Sequence, residues 1–229
     1  MRTELLSLLW LVVTVGGYYV LKPLYRRHPR WWTSPLFTVP LLLAALGLVL
    51  GMNYPVYIRD THWLVLMLGP ATAAFALPIF RYRRLIQRHW PALLVGVLGG
   101  SAMAIGSAWG LATWCGLDDA VRRSLLARSI TTPLAMLMSA DIGGVPELTA
   151  LFVVITGVAG IALGELMLRV MPLRSALARG ALFGVGAHGA GTAKAYDIGS
   201  EEGSVASLAM VLAGLLNVLL APALAVLLR

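Results

Sequence analysis

The segment Ala120-Val-Arg-Arg-Ser-Leu-Leu-Ala-Arg-Ser-Ile-Thr-Thr-Pro-Leu-Ala-Met-Leu-Met-Ser-Ala140 is largely apolar. It is as long as the stretch of about 20 residues that a helix needs to cross a bilayer. It cannot be a simple span. The longer apolar runs on either side, Ala92–Cys115 and Leu148–Met171, are flanked at their far ends by basic clusters, Arg81 to Arg88 and Arg169 to Arg179. Basic clusters mark one membrane face, so the two runs cross in opposite senses and the segment between them starts and ends on the other face. A surface helix followed by a re-entrant hairpin satisfies that count. Irregular backbone at membrane depth persists only where protein or a wet cavity surrounds it. The element is therefore expected to line a site.

Working outward, further apolar runs lie at Leu5–Leu21, Leu36–Met52, His62–Phe80 and Ser204–Leu228. Of 229 residues, 59% are hydrophobic and 12% charged, and the mean hydropathy is +0.83. Soluble domains carry about twice that share of charge, and disorder needs low hydrophobicity. The expected fold is an all-α polytopic membrane protein with about six full spans plus re-entrant or broken helices. Lys22, Arg26, Arg27 and Arg30, then Arg81, Arg83, Arg84 and Arg88, then Arg169, Arg174 and Arg179 sit in three connections, which hold eleven of the 18 Lys and Arg residues. The positive-inside bias assigns these connections to the cytoplasm and the N-terminus to the outside. The net charge of +8 then reports orientation and contact with the lipid bilayer, not nucleic acid. Trp31, Trp32 and Trp90 fit an interfacial belt. One cysteine, Cys115, excludes a disulfide framework and reads as packing.

Two polar breaks stand out. In Ala127-Arg-Ser-Ile-Thr-Thr-Pro-Leu-Ala-Met136, Pro133 disfavours helix at Thr132, so a helix should stop or restart there. Ser129, Thr131 and Thr132 offer hydroxyls, Arg128 offers a fork for a carboxylate, and a helix starting here points its positive end at an anion. The plainer reading is a satisfied proline kink with Arg128 snorkelling. The second break, Gly180-Ala-Leu-Phe-Gly-Val-Gly-Ala-His-Gly-Ala-Gly-Thr-Ala-Lys194, has five glycines in fifteen positions. His188 and Lys194 are ionisable groups in an apolar stretch, where such groups usually face an interior pathway. Against that stands a small-residue packing face with one hydrogen-bonded histidine. Gly189, Gly191 and Thr192 belong to the same candidate site.

Weaker candidates follow. Pro70 and Pro78 bracket Thr72 in the third run, a pathway-lining break or a kinked packing helix. Glu202, beside Glu201, reads as first-turn capping of the last span or as ion coupling. Glu165 reads as the partner of Arg169, and Asn217 as an interhelical hydrogen bond or a ligand. Asp118 and Asp119 read as a polar loop. A shift of 56 residues lays Trp90–Met136 onto Pro146–Thr192, matching Leu117, Ala120, Arg123 and Leu126 to Leu173, Ala176, Arg179 and Leu182. Each unit is a long span, a basic turn and a broken segment, and the two long spans run oppositely. Inverted repeats of this kind build midplane transport sites. No metal-binding His-Glu-x-x-His, nucleophile elbow or phosphate loop occurs, so neither an enzyme nor a cofactor is expected.

Four blocks in order then resemble the LrgB/CidB membrane protein family, whose plant relative is the plastid glycolate/glycerate translocator. They are Gly69-Pro-Ala-Thr72 with Ala76-Leu-Pro78; Ser129 through Met136; Gly143-Gly-Val-Pro146 with Leu148-Thr-Ala150 and Thr156-Gly157; and Ala178-Arg-Gly180 through His188, Gly191-Thr-Ala193 and Glu202-Gly203. Departures are Ala127-Arg128 for the family's Pro-Lys, Val185-Gly-Ala-His188 for its Thr-Ala-Ser-His, and Lys194 for its Arg. The resemblance implies a bacterial inner-membrane protein and two competing functions. One is transport of small monocarboxylates such as glycolate, glycerate, lactate or pyruvate. The other is a holin/antiholin-like role in murein hydrolase release and lysis, with a small LrgA/CidA-like partner. The residues favour transport, because two costly broken elements suit a binding site better than an oligomeric pore. The expected site joins Arg128, Ser129, Thr131, Thr132 and Pro133 to His188, Gly189, Gly191, Thr192 and Lys194. Thr72 and Asn217 would line the path, and H+ or Na+ would couple through His188 or Glu202. Residues 1–60 would form a scaffold, in a homodimer, against which the 61–229 core moves by an elevator motion.

Overall fold

The computed structural model describes residues 2–28, 31–51, 63, 66, 67, 70, 73 and 76–228, all of the regular structure among them helical. The chain divides into two compact units, Met1–Ala71 and Thr72–Arg229. In the first, α1 (Arg2–Arg27) packs on α2 (Pro35–Val49) after a short 3-10 turn at Trp31–Thr33. Gly17 faces α2 at this contact, where a Cβ would meet Leu42 at an ordinary van der Waals distance of 3.5 Å. α2 has 15 residues, fewer than the expected second run. Nine of the 19 residues of the third run, Thr72 among them, lie outside the described residues.

The second unit holds α3 (Ala76–Arg81), α4 (Arg83–Trp114), α5 (Asp119–Leu126), α6 (Thr132–Asp141), α7 (Pro146–Val170), α8 (Ala176–Ile198) and α9 (Ser200–Leu227). Among the described residues, four helical stretches are long and apolar enough to cross a membrane: Leu8–Arg27, α4, α7 and α9. The chain is a polytopic helical membrane protein. α4 begins before the expected span and leaves helical geometry at His89 (φ −122°, ψ 18°), two residues before Pro91, whose ring and missing N–H break the ladder. Cys115 is exposed at the C-cap of α4. That corrects the packing role expected of it: the helix ends before the thiol can be covered.

Between α4 and α7 the chain leaves one level and regains it. The Ser124 hydroxyl accepts from the Val145 amide at 2.8 Å, and the Thr149 hydroxyl bonds the Ser124 carbonyl at 3.1 Å and the Ser139 hydroxyl at 2.7 Å. Ser124, Ser139 and Thr149 are fully buried, so every one of these bonds replaces a solvent bond that is absent. Arg123 draws the excursion together by donating to the Ile142 and Leu228 carbonyls at 3.0 and 2.8 Å. The turn 127–131 and the start of α6 form the deep part. Leu126, Ile130, Leu134, Met138 and Ile142 bury themselves there against Val153, Ala108 and Ala221.

α8 doubles back. Seventeen residues of straight helix separate positions 179 and 196 by about 25 Å. Yet Arg179 pairs with Glu202 at 2.7 Å and Tyr196 covers Gly203. The reversal is at His188, whose φ of 39° and ψ of −122° are not helical. Beyond it, Gly191 lies against the Phe183 carbonyl, an approach that any side chain would block. The tip of this bend rests on α7: Gly160 abuts the Gly186 carbonyl and Ala187, Gly164 abuts the Phe183 ring, and Gly157 abuts the His188 ring. α9 packs along α8, with Gly184 against the Ala206 backbone and Gly180 against Val205.

Candidate functional site

Both excursions reach α7 near its middle. Arg128, in the turn before α6, places Nη1 3.5 Å from the Thr156 hydroxyl. His188, at the bend of α8, lies against Gly157, the next residue. α7 runs over 25 residues from Pro146, so Thr156 and Gly157 sit within a turn of its centre. Arg128, Thr156 and Gly186 line a cavity of about 360 Å³ whose walls are otherwise apolar: Leu125, Phe152, Ile155, Ala159, Gly160 and Leu163. Arg128 is half-buried and has no carboxylate partner among the described residues. A cation at that depth is costly unless something satisfies it.

The neighbouring groups of the first break are arranged for helix initiation. Thr131 is the N-cap of α6, extended at φ −63° and ψ 142°, and Pro133 lies in the first turn, where its absent N–H costs nothing. The first intrahelical bond joins the Ala135 amide to the Thr131 carbonyl at 2.9 Å. Thr131 and Pro133 are buried, while Ser129 and Thr132 are partly exposed. No side-chain oxygen caps the start of α6, which leaves its first amides as an electropositive end beside the turn.

The second break contributes less directly than its sequence implies. His188 is 4% exposed, and its Nε2 is buried without a hydrogen-bond partner. Gly189 is exposed and Gly191 buried in the bend. The Thr192 hydroxyl points at the Met210 sulfur, 3.7 Å away. Lys194 is taken by Glu165 at 2.6 Å, which corrects the expected pairing of Glu165 with Arg169: α8 returns across α7 and brings a closer cation. Glu202 lies in the first turn of α9, as expected of a carboxylate at a helix start, and is buried and paired to Arg179. Asn217 is fully buried and donates to the Ser101 hydroxyl at 2.8 Å and to the Ala213 carbonyl at 2.7 Å. It stitches α9 to α4. Asp119 is not in a loop either. It opens α5 and pairs with Arg122 at 2.7 Å and with Arg123 at 2.5 Å.

The structure thus brings Arg128 and His188 to adjacent residues of one helix and leaves Thr192, Lys194, Glu202 and Asn217 engaged elsewhere. Sequence reasoning did not assign Thr156, Phe152, Ile155 or Leu163 to the site. The signal available was a threonine followed by glycines at 157 and 160, halfway along an otherwise apolar span. Among the described residues no cluster of His, Cys, Asp and Glu has metal-binding geometry.

Comparison with known proteins identifies the family. The LrgB-like family model matches residues 14–227. The Bacillus subtilis protein YwbG is 39% identical over 212 residues, covering 93% of this chain and 94% of YwbG. The antiholin-like protein LrgB of the same organism is 30% identical over 93% of this chain and 92% of its own. The holin-like protein CidB of Staphylococcus epidermidis is 27% identical over 98% of both chains. No solved structure matches. With nearly its whole length matched, including the turn at Arg128, the bend at His188 and the helix on which they meet, the chain belongs to the LrgB-like family of membrane proteins.

Proposed function

We propose that this protein is a secondary transporter of small monocarboxylates working by alternating access. The observation that carries the reading is Arg128: a guanidinium without a carboxylate partner among the described residues, facing a cavity at mid-span depth. An anion arriving there supplies the missing partner through a charge-assisted bond. The hydroxyls of Ser129, Thr132 and Thr156 and the first amides of α6 supply further donors. The buried Nε2 of His188 is the ionisable group closest to this level, and H+ is the coupling ion it suits.

The repeat supports the same reading. α4 with the α5–α6 excursion, and α7 with the bent α8, are two units of like order whose arginines 123 and 179 correspond. Each arginine reaches α9, Arg123 at Leu228 and Arg179 at Glu202, opposite ends of one helix. Units of opposite sense whose breaks meet at depth are how secondary transporters expose one site to each side in turn. An elevator movement of this core against the first unit, in a homodimer of the bacterial inner membrane, completes the proposal.

The printed names of LrgB and CidB, antiholin-like and holin-like, favour a second reading, a lysis-modulating membrane protein with an LrgA/CidA-like partner. One experiment separates the two. Purified full-length protein in liposomes should take up labelled glycolate or pyruvate saturably and retain a trapped dye, and Arg128→Gln should lower uptake at least tenfold. Dye loss without saturable uptake would favour the pore.

A further inference from the structure

α4 is longer than a crossing requires. Its 32 residues extend about 48 Å at the usual helical rise, against a hydrocarbon core of about 30 Å. The excess lies before the break at His89, and the part after it, 90–114, is alone long enough to cross. The leading turns and α3 before them carry Arg81, Arg83, Arg84 and Arg88, all exposed. Among the described residues none of these arginines pairs with a carboxylate. Arg84 and Arg88 are one helical turn apart, a spacing at which like charges repel. Large apolar side chains stand among them. Leu77 and Phe80 on α3 are 66% and 67% exposed, and Trp90, just past the break, is 58% exposed. The Arg83 guanidinium lies 4.7 Å from the centre of the Phe80 ring. Tryptophan at the end of a span marks the headgroup level, so these arginines stand where lipid phosphates reside.

We propose that α3 and the start of α4 form a binding surface for anionic phospholipid. One headgroup phosphate is held between Arg84 and Arg88, with Phe80 and Trp90 against the glycerol and acyl region. The surface is separate from Arg128 and independent of the transport reading. A phosphate between two repelling guanidiniums accepts from both and cancels their repulsion. Setting the sense of insertion needs only charge at this level; it needs neither the one-turn spacing nor the exposed rings. Those rings decide against a soluble anion, which would leave Leu77, Phe80 and Trp90 uncovered. The uncompensated charge decides against zwitterionic lipid, whose headgroup returns an ammonium to a cluster that is already cationic. Phosphatidylglycerol returns none. Arg81 and Arg83 add attraction to the anionic surface without sharing the same phosphate.

The test is thermal melting of the full-length protein in a non-ionic detergent, titrated with dioleoyl phosphatidylglycerol, dioleoyl phosphatidylcholine or inorganic phosphate. Phosphatidylglycerol should raise the melting temperature saturably, phosphatidylcholine should bind at least about tenfold more weakly, and inorganic phosphate should not stabilise. Each cation at an anionic surface is worth about fivefold in affinity. Arg84→Gln with Arg88→Gln should therefore weaken phosphatidylglycerol at least about tenfold, while Lys22→Gln with Arg26→Gln, in another basic cluster, should change it less than about twofold. Should the first double variant fail to fold, the unaltered protein still answers. Raising the salt concentration about tenfold should weaken its phosphatidylglycerol binding and leave any phosphatidylcholine binding unchanged. Equal stabilisation by the two lipids would overturn the proposal by assigning the effect to acyl chains. Stabilisation by inorganic phosphate to the same extent would replace the lipid with a soluble anion. Phosphatidylglycerol binding that survives loss of Arg84 and Arg88 would place the headgroup elsewhere.

Discussion

Single residues carry the decisive energies at the two breaks. His188 is the one non-glycine at positive φ among the described residues. An L-residue in such a conformation is strained by about 1 kcal/mol or more. Inside a regular helix glycine is worse than alanine by about 1 kcal/mol, so the bend reverses the usual order. His188→Gly should melt above His188→Ala, both lacking the buried ring, and a lower melting temperature for the glycine variant would mean the bend is not held in solution. The sequence marked this site by its glycines, yet the reversal falls on the histidine between Gly186 and Gly189. The ring's contact with Gly157 on a distant helix decides that, and no local rule contains it. At the start of α5, Asp119 shows a different balance. Hydrogen bonds from Arg122 and then Arg123 hold its carboxyl below the usual carboxylate value. A folded pKa below the unfolded one contributes stability that is complete above the unfolded value, about 3.9. That contribution is lost as pH falls through the folded value. Asp119→Asn should therefore lower the melting temperature at neutral pH, and the gap to the unaltered protein should close as the medium is acidified below about pH 4.

At the scale of elements, ion pairs fix how the bent α8 sits on its neighbours. Its incoming limb is tied to α9 by Arg179 and Glu202, and its returning limb to α7 by Lys194 and Glu165. Lys194 and Glu165 are 17% and 29% exposed, so each charge depends on the other more than a solvated pair would. Removing one partner strands a charge within the helix packing; removing both does not. Glu165→Gln with Lys194→Met should thus melt above either single variant, and the double-mutant cycle should show a coupling of about 1 kcal/mol or more. Additive losses would mean the pair is screened by water. Spacing alone offered Arg169 as the partner of Glu165, one helical turn away. The choice of Lys194 required the knowledge that α8 returns across α7, a long-range consequence of the bend. By contrast, the start of α6 was legible. Pro133 disfavours helix ahead of it and suits a first turn, and α6 begins at Thr132, one residue ahead of the proline where helix was disfavoured, with Thr131 as its cap. The cavity wall was not legible, because Phe152, Ile155 and Leu163 resemble any lipid-facing residues until Arg128 is placed beside them.

For the whole molecule, the distribution of charge and the count of crossings make one connected claim about sidedness. The clusters Lys22 to Arg30, Arg81 to Arg88 and Arg169 to Arg179 belong on the cytoplasmic face if the positive-inside bias governs insertion. α4 starts at Arg83 and crosses once to Trp114, which carries its C-cap to the opposite face. That C-cap is Cys115, exposed and the single cysteine of the chain, so the natural sequence holds its own reporter and needs no substitution. A membrane-impermeant maleimide should label right-side-out vesicles and leave inside-out vesicles unlabelled until detergent is added. Under that bias the proposed site would be reached from outside through the first excursion, with Arg128 at its turn, and from inside through the bent α8, as opposed entrances to one site require. Labelling from the inside would invert both entrances together without disturbing their opposition. Labelling from both sides would mean mixed insertion, and the assignment of each excursion to a face would fail with it.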